Sequence, residues 1–168
     1  MIARRNKMIS YTLTYEDIIK INLWCQKIVS SDINVTDGIR DYNLLKSIPI
    51  SIYQSFAGEE LYPTIYDKCS TIWFTISKYH CFVDGNKRTA LVTAVVYMKL
   101  NGYNMMLDNK DLYDISISIA SGKMQLEDVK MYLIKHTFIS AGTADISDIL
   151  VGLSEKKKFI SILRELGK

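Results

Sequence analysis

Residues 90–98 read Ala-Leu-Val-Thr-Ala-Val-Val-Tyr-Met, a run that is apolar on nearly every side of a helix. A helix without a polar face must be covered all round, so this segment is expected at the centre of a bundle. The rest of the chain has to supply the cover, and amphipathic segments lie on both sides of it. With only two prolines and eight glycines among 168 residues, the chain reads as an all-α domain, a helical bundle with a C-terminal helical extension.

Thr14, with Asp17 three residues on, has the form of a capping box. It opens a helix whose apolar side is Ile18, Ile21, Trp24, Cys25 and Ile28 and which ends near Ser30. Residues 32–41 are polar and contain Gly38, hence a loop. Leu44, Leu45 and Ile48 mark a second helix that Pro49 bends or ends. The stretch Ser55-Phe56-Ala57-Gly58-Glu59-Glu60-Leu61-Tyr62-Pro63 is a loop placed to act as a lid. Thr64 and Asp67 repeat the cap signature, and Ile65, Cys69, Ile72, Trp73 and Ile76 form one face of a helix to about Tyr79. His80 is thereby left at its C-terminal end. After the central helix Asn101-Gly102 is a stop signal, Met105-Met106 is gap-filling or strand-like, and residues 111–121 and 126–136 give two more helices either side of Gly122.

The domain reading is an N-terminal arm over 1–10, a compact unit over 11–138 and an amphipathic helical tail over 139–168. Within the tail, residues 140–143 form a linker, and Ile149, Leu150, Leu153, Phe159, Ile160, Leu163 and Leu166 stripe one or two short helices. Those stripes could cover the domain, a partner or a second copy, and the residues do not choose. A net charge of +3, with Arg4, Arg5, Lys7 and Lys156–Lys158 near the two ends, gives no support for direct nucleic-acid binding. No stretch approaches the roughly 18 uncharged residues of a spanning helix, and no apolar segment follows the basic start. Neither a membrane location nor export is expected. Cys25, Cys69 and Cys81 stand in no metal-ligand spacing and fit a reducing, cytoplasmic setting.

Between the two best-defined helices lies Tyr79-His80-Cys81-Phe82-Val83-Asp84-Gly85-Asn86-Lys87-Arg88-Thr89. A glycine turn that runs straight into a helix presents unpaired N–H groups and the positive end of the helix dipole, which together favour a phosphate. Lys87 and Arg88 in the first turn oppose that dipole, a conflict that a bound polyphosphate removes. Asp84 offers one carboxylate, enough for a Mg²⁺ that keeps several waters and shares phosphate oxygens. His80 is of the kind that takes a proton from an attacking hydroxyl near neutral pH. Asn86 can bond either the loop or a phosphate oxygen, while Phe82 and Val83 are expected to point inward and anchor the loop. A plainer reading stands beside this one: a His at a helix end is commonly a cap, and Asp-Gly-Asn is an ordinary turn.

The run His80-x-Phe82-x-Asp84-Gly85-Asn86-Lys87-Arg88 resembles the Fic/Doc (Fido) signature, H-x-F-x-D/E-G/A-N-G/K-R, at all seven defined positions. Gly38-Ile39-Arg40-Asp41 with Leu44-Leu45, the stretch from Phe56 to Pro63, Asn101-Gly102-Tyr103 and Ala120-Ser121-Gly122 are similar to the death-on-curing (Doc) branch. Together they cover about residues 11–137. The resemblance implies a helical Fido fold, ATP as donor, Mg²⁺, and modification of a protein hydroxyl. By position, His80 would be the catalytic base and Asp84 the metal ligand. Gly85, Asn86, Lys87 and Arg88 would bind the nucleotide phosphates, and Ser55, Phe56, Gly58, Glu59 and Leu61 would form a flap that positions the target segment.

Lys87 stands where adenylyl-transferring members usually carry Gly, and Leu91 where they carry a second Arg. Both departures resemble the Doc branch, which implies transfer of the γ-phosphate onto a Thr or Ser of a translation factor such as elongation factor Tu, in preference to AMP transfer. It also implies a toxin restrained by a Phd-type antitoxin, with a homo-oligomer through the tail left open and a catalytically silent binding module as the remaining alternative. Ser161-x-x-x-Glu165 resembles the start of the inhibitory helix of some Fic enzymes, but Leu166 and Leu91 break that pattern. Glu165 is therefore expected to face solvent.

Overall fold

The computed structural model describes residues 11–30, 38–108, 110–140, 142 and 144–167. The expected arm over 1–10, loop residues 32–37 and linker residues 141 and 143 lie outside them. Helices α1 (Tyr15–Val29), α2 (Tyr42–Ser51), α3 (Ile65–Tyr79) and α4 (Asn86–Leu100) precede α5 (Asp111–Ala120), α6 (Leu126–His136), α7 (Ile146–Ser154) and α8 (Lys157–Glu165). Every residue of α4 from Arg88 to Met98 is buried, and α1, α3, α5 and α7 all pack against it. The all-α expectation and the central place of α4 hold. No helix among the described residues is long and apolar enough to cross a membrane.

The caps are where the sequence places them. Thr14 Oγ1 accepts the Asp17 N–H at 3.2 Å while Asp17 accepts the Thr14 N–H at 3.0 Å, and Thr64 with Asp67 makes the same box at the start of α3. Each box is worth about 1 kcal/mol of helix stability. Asp41 caps α2 by accepting the Leu44 N–H. Pro49 is buried inside α2, where it leaves the Leu45 carbonyl without its i→i−4 donor, and the helix runs only two residues beyond it.

Two small antiparallel strand pairs accompany the helices. Strands β1 (Ser55–Phe56) and β2 (Glu59–Glu60) pair antiparallel, so the expected lid loop is a hairpin. Its two-residue turn uses left-handed backbone at Ala57 (φ 50°) and Gly58 (φ 84°), the twist a tight hairpin turn requires. Lys68, buried on α3, holds the hairpin down by donating to Glu60 Oε2 at 2.7 Å and to the Tyr62 carbonyl. Strands β3 (Tyr103–Met105) and β4 (Thr137–Ile139) form the second pair.

The tail covers the domain itself. Helix α7 packs on α4 and α1, and α8 packs on α1 and α5, with Phe159 and Leu163 fully buried in the same core as Ile18 and Cys25. Strand β4 runs across the boundary expected at residue 138, and the packing is continuous there. Glu165 is exposed, as are Lys156–Lys158.

Candidate active site

Helix α3 stops because His80 turns into left-handed backbone (φ 53°, ψ 64°). Five residues later Gly85 is left-handed as well (φ 79°) and opens α4 without any side-chain cap. The loop between them is held from three sides. The Cys81 carbonyl accepts the N–H groups of Arg40 (2.8 Å) and Asp41 (3.1 Å), and the Val83 N–H donates to the Gly38 carbonyl at 2.7 Å. Ile39 thereby bridges antiparallel to Phe82. Because the backbone is extended at this bridge, neighbouring side chains point opposite ways. Phe82 is fully buried and Val83 is 65% exposed, so the expectation that both point inward is corrected for Val83.

Asn86 locks the loop from within. Its Oδ1 accepts the Phe82 N–H and its Nδ2 donates to the Phe82 carbonyl, each at 2.8 Å. Both ends of the buried amide are therefore engaged with the loop, and of the two roles open to Asn86 its side chain takes the structural one. What Asn86 can still offer an anion is its backbone N–H at the first position of α4.

The charged groups are arranged asymmetrically. The Arg88 guanidinium is buried and donates from Nη2 to Asp84 Oδ2 at 3.0 Å, while the Asp84 carboxylate is largely exposed. Arg88 Nε is buried with no hydrogen-bond partner among the described residues. Gly167, just past α8, lies directly against this guanidinium, and a side chain there would collide with it. Lys87 is half-buried in the first turn of α4, and His80 is half-exposed.

Sequence reasoning passed over Asn22. This fully buried residue of α1 donates from Nδ2 to the Asp84 backbone carbonyl (3.2 Å) and to Thr89 Oγ1 (2.9 Å), and its Oδ1 accepts from Gln26 Nε2. The available signal was a polar residue at helical spacing among Ile18, Ile21 and Cys25 on one buried face. Cys25 lies beside it, where burial pushes the thiol up to about 12, with the nearby Arg88 charge and the Thr89 hydroxyl drawing it partly back.

His80, Asp84 and Gly85 thus sit on one short, well-anchored loop, and Asn86, Lys87 and Arg88 on the first turn of α4 that follows it. The flap residues Ser55, Phe56, Gly58, Glu59 and Leu61 belong to a hairpin held by Lys68 in the first turn of α3, about 16 Å along that helix from Tyr79. Phe56 and Leu61 are exposed. A cleft of about 830 Å³ lies elsewhere again, between the C-terminal half of α4, β3 and α7, with walls that include Val95, Met105, Leu107, Ile149 and Leu153. It is mostly apolar and holds none of the signature residues.

A phosphate with a divalent ion fits the loop. The uncapped N-terminus of α4 and the buried Nε of Arg88, which has no hydrogen-bond partner among the described residues, are the features such a group would use. Among the described residues no three His, Cys, Asp or Glu side chains form a metal cage. An ion here would rest on Asp84 and share oxygens with its phosphates.

Comparison with known proteins agrees. The description of the Fic/DOC family matches residues 12–98, more than half of the chain. The chain is 33% identical over 70 residues to a protein named Toxin Doc from Mycolicibacterium smegmatis (strain ATCC 700084 / mc(2)155), an alignment covering 42% of this chain and 54% of that one. It is 27% identical over 92 residues to the Protein kinase doc of Escherichia phage P1, covering 55% and 71% of the two. The chain therefore spans about half the length of the mycobacterial relative. On the signature loop, the helical fold and the family match, the chain belongs to the Fic/Doc family, on its Doc branch.

Proposed function

We propose that the chain is a toxin-like transferase that uses Mg-ATP to phosphorylate a Thr or Ser hydroxyl of a target protein. The proposed target is a translation factor such as elongation factor Tu, and the proposed restraint is a Phd-type antitoxin. The observation that carries this reading is the pair of buried Arg88 and exposed Asp84 about the uncapped start of α4, eight and four residues after the half-exposed imidazole of His80. Each of the two charges now neutralises the other. A magnesium-bound polyphosphate would replace that pair with two matched contacts, Asp84 to the metal and Arg88 to a phosphate oxygen.

When bound, Mg-ATP would supply an electrophilic γ-phosphorus, with ADP as the leaving group. Arg88, Lys87 and the first N–H groups of α4 hold the phosphates and oppose the charge that gathers on them during transfer, where positioning and electrostatics do most of the catalysis. His80 takes the proton of the target hydroxyl at a ring nitrogen as that oxygen attacks. The phage P1 relative's name, a protein kinase, and Lys87 in the place of a usual Gly both support phosphoryl over AMP transfer.

Incubating the chain and a cell lysate with ATP labelled separately on the α and γ phosphates tests this. Only the γ label is expected on a protein, and none with His80→Asn, a substitution chosen because Asn tolerates left-handed backbone. The α label would convert the reading to AMP transfer. Undiminished labelling by His80→Asn would remove the imidazole from the chemistry, and failure to bind millimolar Mg-ATP in calorimetry would leave a binding module.

A further inference from the structure

We infer that Asn22 is a positioning residue for the site, acting through Asp84 and Thr89 to fix where the metal-binding carboxylate and the start of α4 stand. The inference rests on the reading of Asp84 as the magnesium ligand. Asp84 itself projects toward solvent, and among the described residues its side chain is held only by the Arg88 bond. A ligand that draws Asp84 Oδ2 or Arg88 Nη2 to itself opens that bond. Once it opens, the backbone of Asp84 is what keeps the carboxylate in place, and Asn22 Nδ2 is bonded to that backbone carbonyl.

The same nitrogen's second proton reaches Thr89 Oγ1, in the first turn of α4, while the Thr89 N–H closes that turn on the Gly85 carbonyl at 2.8 Å. Asn22 therefore spans the glycine turn, with one bond on each side of it. Its own orientation is fixed because Oδ1 accepts from Gln26 one helical turn along α1. A side chain with no exposure and three bonds has no freedom to follow the loop, so the loop must follow it. Leucine, similar in size, would leave the Asp84 carbonyl and the Thr89 hydroxyl without this donor.

The test uses the full chain and Mg-ATP as the probe. Asn22→Leu is expected to weaken Mg-ATP binding in calorimetry by about tenfold or more and to raise the Mg²⁺ concentration at half-maximal binding, while circular dichroism shows a folded protein. In an Asp84→Ala background the same substitution should leave the Mg²⁺ dependence unmoved, because the group through which it acts is gone. Thr89→Val, which removes only one of the two bonds, gives a milder variant should Asn22→Leu fail to fold. Unchanged Mg²⁺ dependence in a folded variant overturns the inference.

Hydrogen exchange at the Thr89 amide separates this idea from the reading beneath it. If the wild-type chain binds no Mg-ATP, the functional reading falls. Faster Thr89 exchange in Asn22→Leu would then still establish Asn22 as the residue that sets the loop, and unchanged exchange would overturn that too.

Discussion

Replacing Asn86 with Asp distinguishes a loop clamp from a phosphate contact, since the two side chains have the same size. The introduced carboxylate can still accept the Phe82 N–H, but its second oxygen faces the Phe82 carbonyl across the 2.8 Å now bridged by Nδ2. One buried hydrogen bond is lost, about 1 kcal/mol net, and a buried carbonyl loses its donor, roughly 1–3 kcal/mol more. A negative charge at the first position of α4 returns about 0.3–1 kcal/mol through the helix dipole. The expected destabilisation at pH 7 is therefore about 2 kcal/mol.

The pH dependence follows from the same geometry. A protonated carboxyl can donate to the Phe82 carbonyl and restore the clamp, so the introduced group titrates higher in the folded chain than its unfolded value of about 3.9. The penalty should be small below that value, grow as the pH rises, and level off above the folded one. At about 1.36 kcal/mol per pKa unit, 2 kcal/mol places that window between about pH 4 and pH 5.5. Urea unfolding of wild type and Asn86→Asp at pH 4 and pH 7 measures it. A penalty under about 0.5 kcal/mol at pH 7, or an equal one at both pH values, would refute the clamp; lost Mg-ATP binding with unaltered stability would return the side chain to the phosphate.

Three further outcomes follow from the site and its supports. Gly85→Ala forces a left-handed conformation that costs an L-residue roughly 1–2 kcal/mol and brings a Cβ within 3.2 Å of Asn22 Nδ2, so both the urea midpoint and Mg-ATP affinity should fall; an unchanged midpoint contradicts the geometry. Burial pushes the Cys25 thiol up to about 12 and, with a backbone bond partly opposing it, the Cys81 thiol to about 11. At pH 8 the thiolate fraction is then on the order of 10⁻³ or less, and an aromatic disulfide reagent should label these two only as fast as the chain opens. Burial raises the Asp67 carboxyl, but the Lys130 hydrogen bond and the Thr64 side-chain and backbone bonds outweigh it and hold the group below the usual range. That contribution is present above the unfolded value of about 3.9 and lost as the pH falls through the folded one. Asp67→Asn should therefore cost about 1 kcal/mol at neutral pH, with the gap closing in acid-titrated melts below about pH 4.

What the sequence made legible was local. Thr14 with Asp17 and Thr64 with Asp67 encode helix starts within four residues, and the apolar run of α4 announces its own burial. His80, Asp84, Lys87 and Arg88 are likewise close enough along the chain for their meeting to be read directly. What escaped depends on distant partners. Asn22 acquires its role from atoms 62 and 67 residues away. Val83 turns outward because Phe82 bridges to Ile39. The pairing of Met105 with Thr137 joins segments too short to show a strand pattern, and the contact of Gly167 with Arg88 exists only once the tail has folded back.

That folding back separates the stretch that bears the chemistry from the unit that can stand alone. The family match ends at residue 98, yet the helices it contains are wrapped by α5, α6, α7 and α8, and Phe159 and Leu163 close over α1 from the far end of the chain. An excised fragment over residues 12–98 would present those uncovered apolar flanks to water and aggregate. Grafting this signature into another scaffold would require transplanting its outer helices with it.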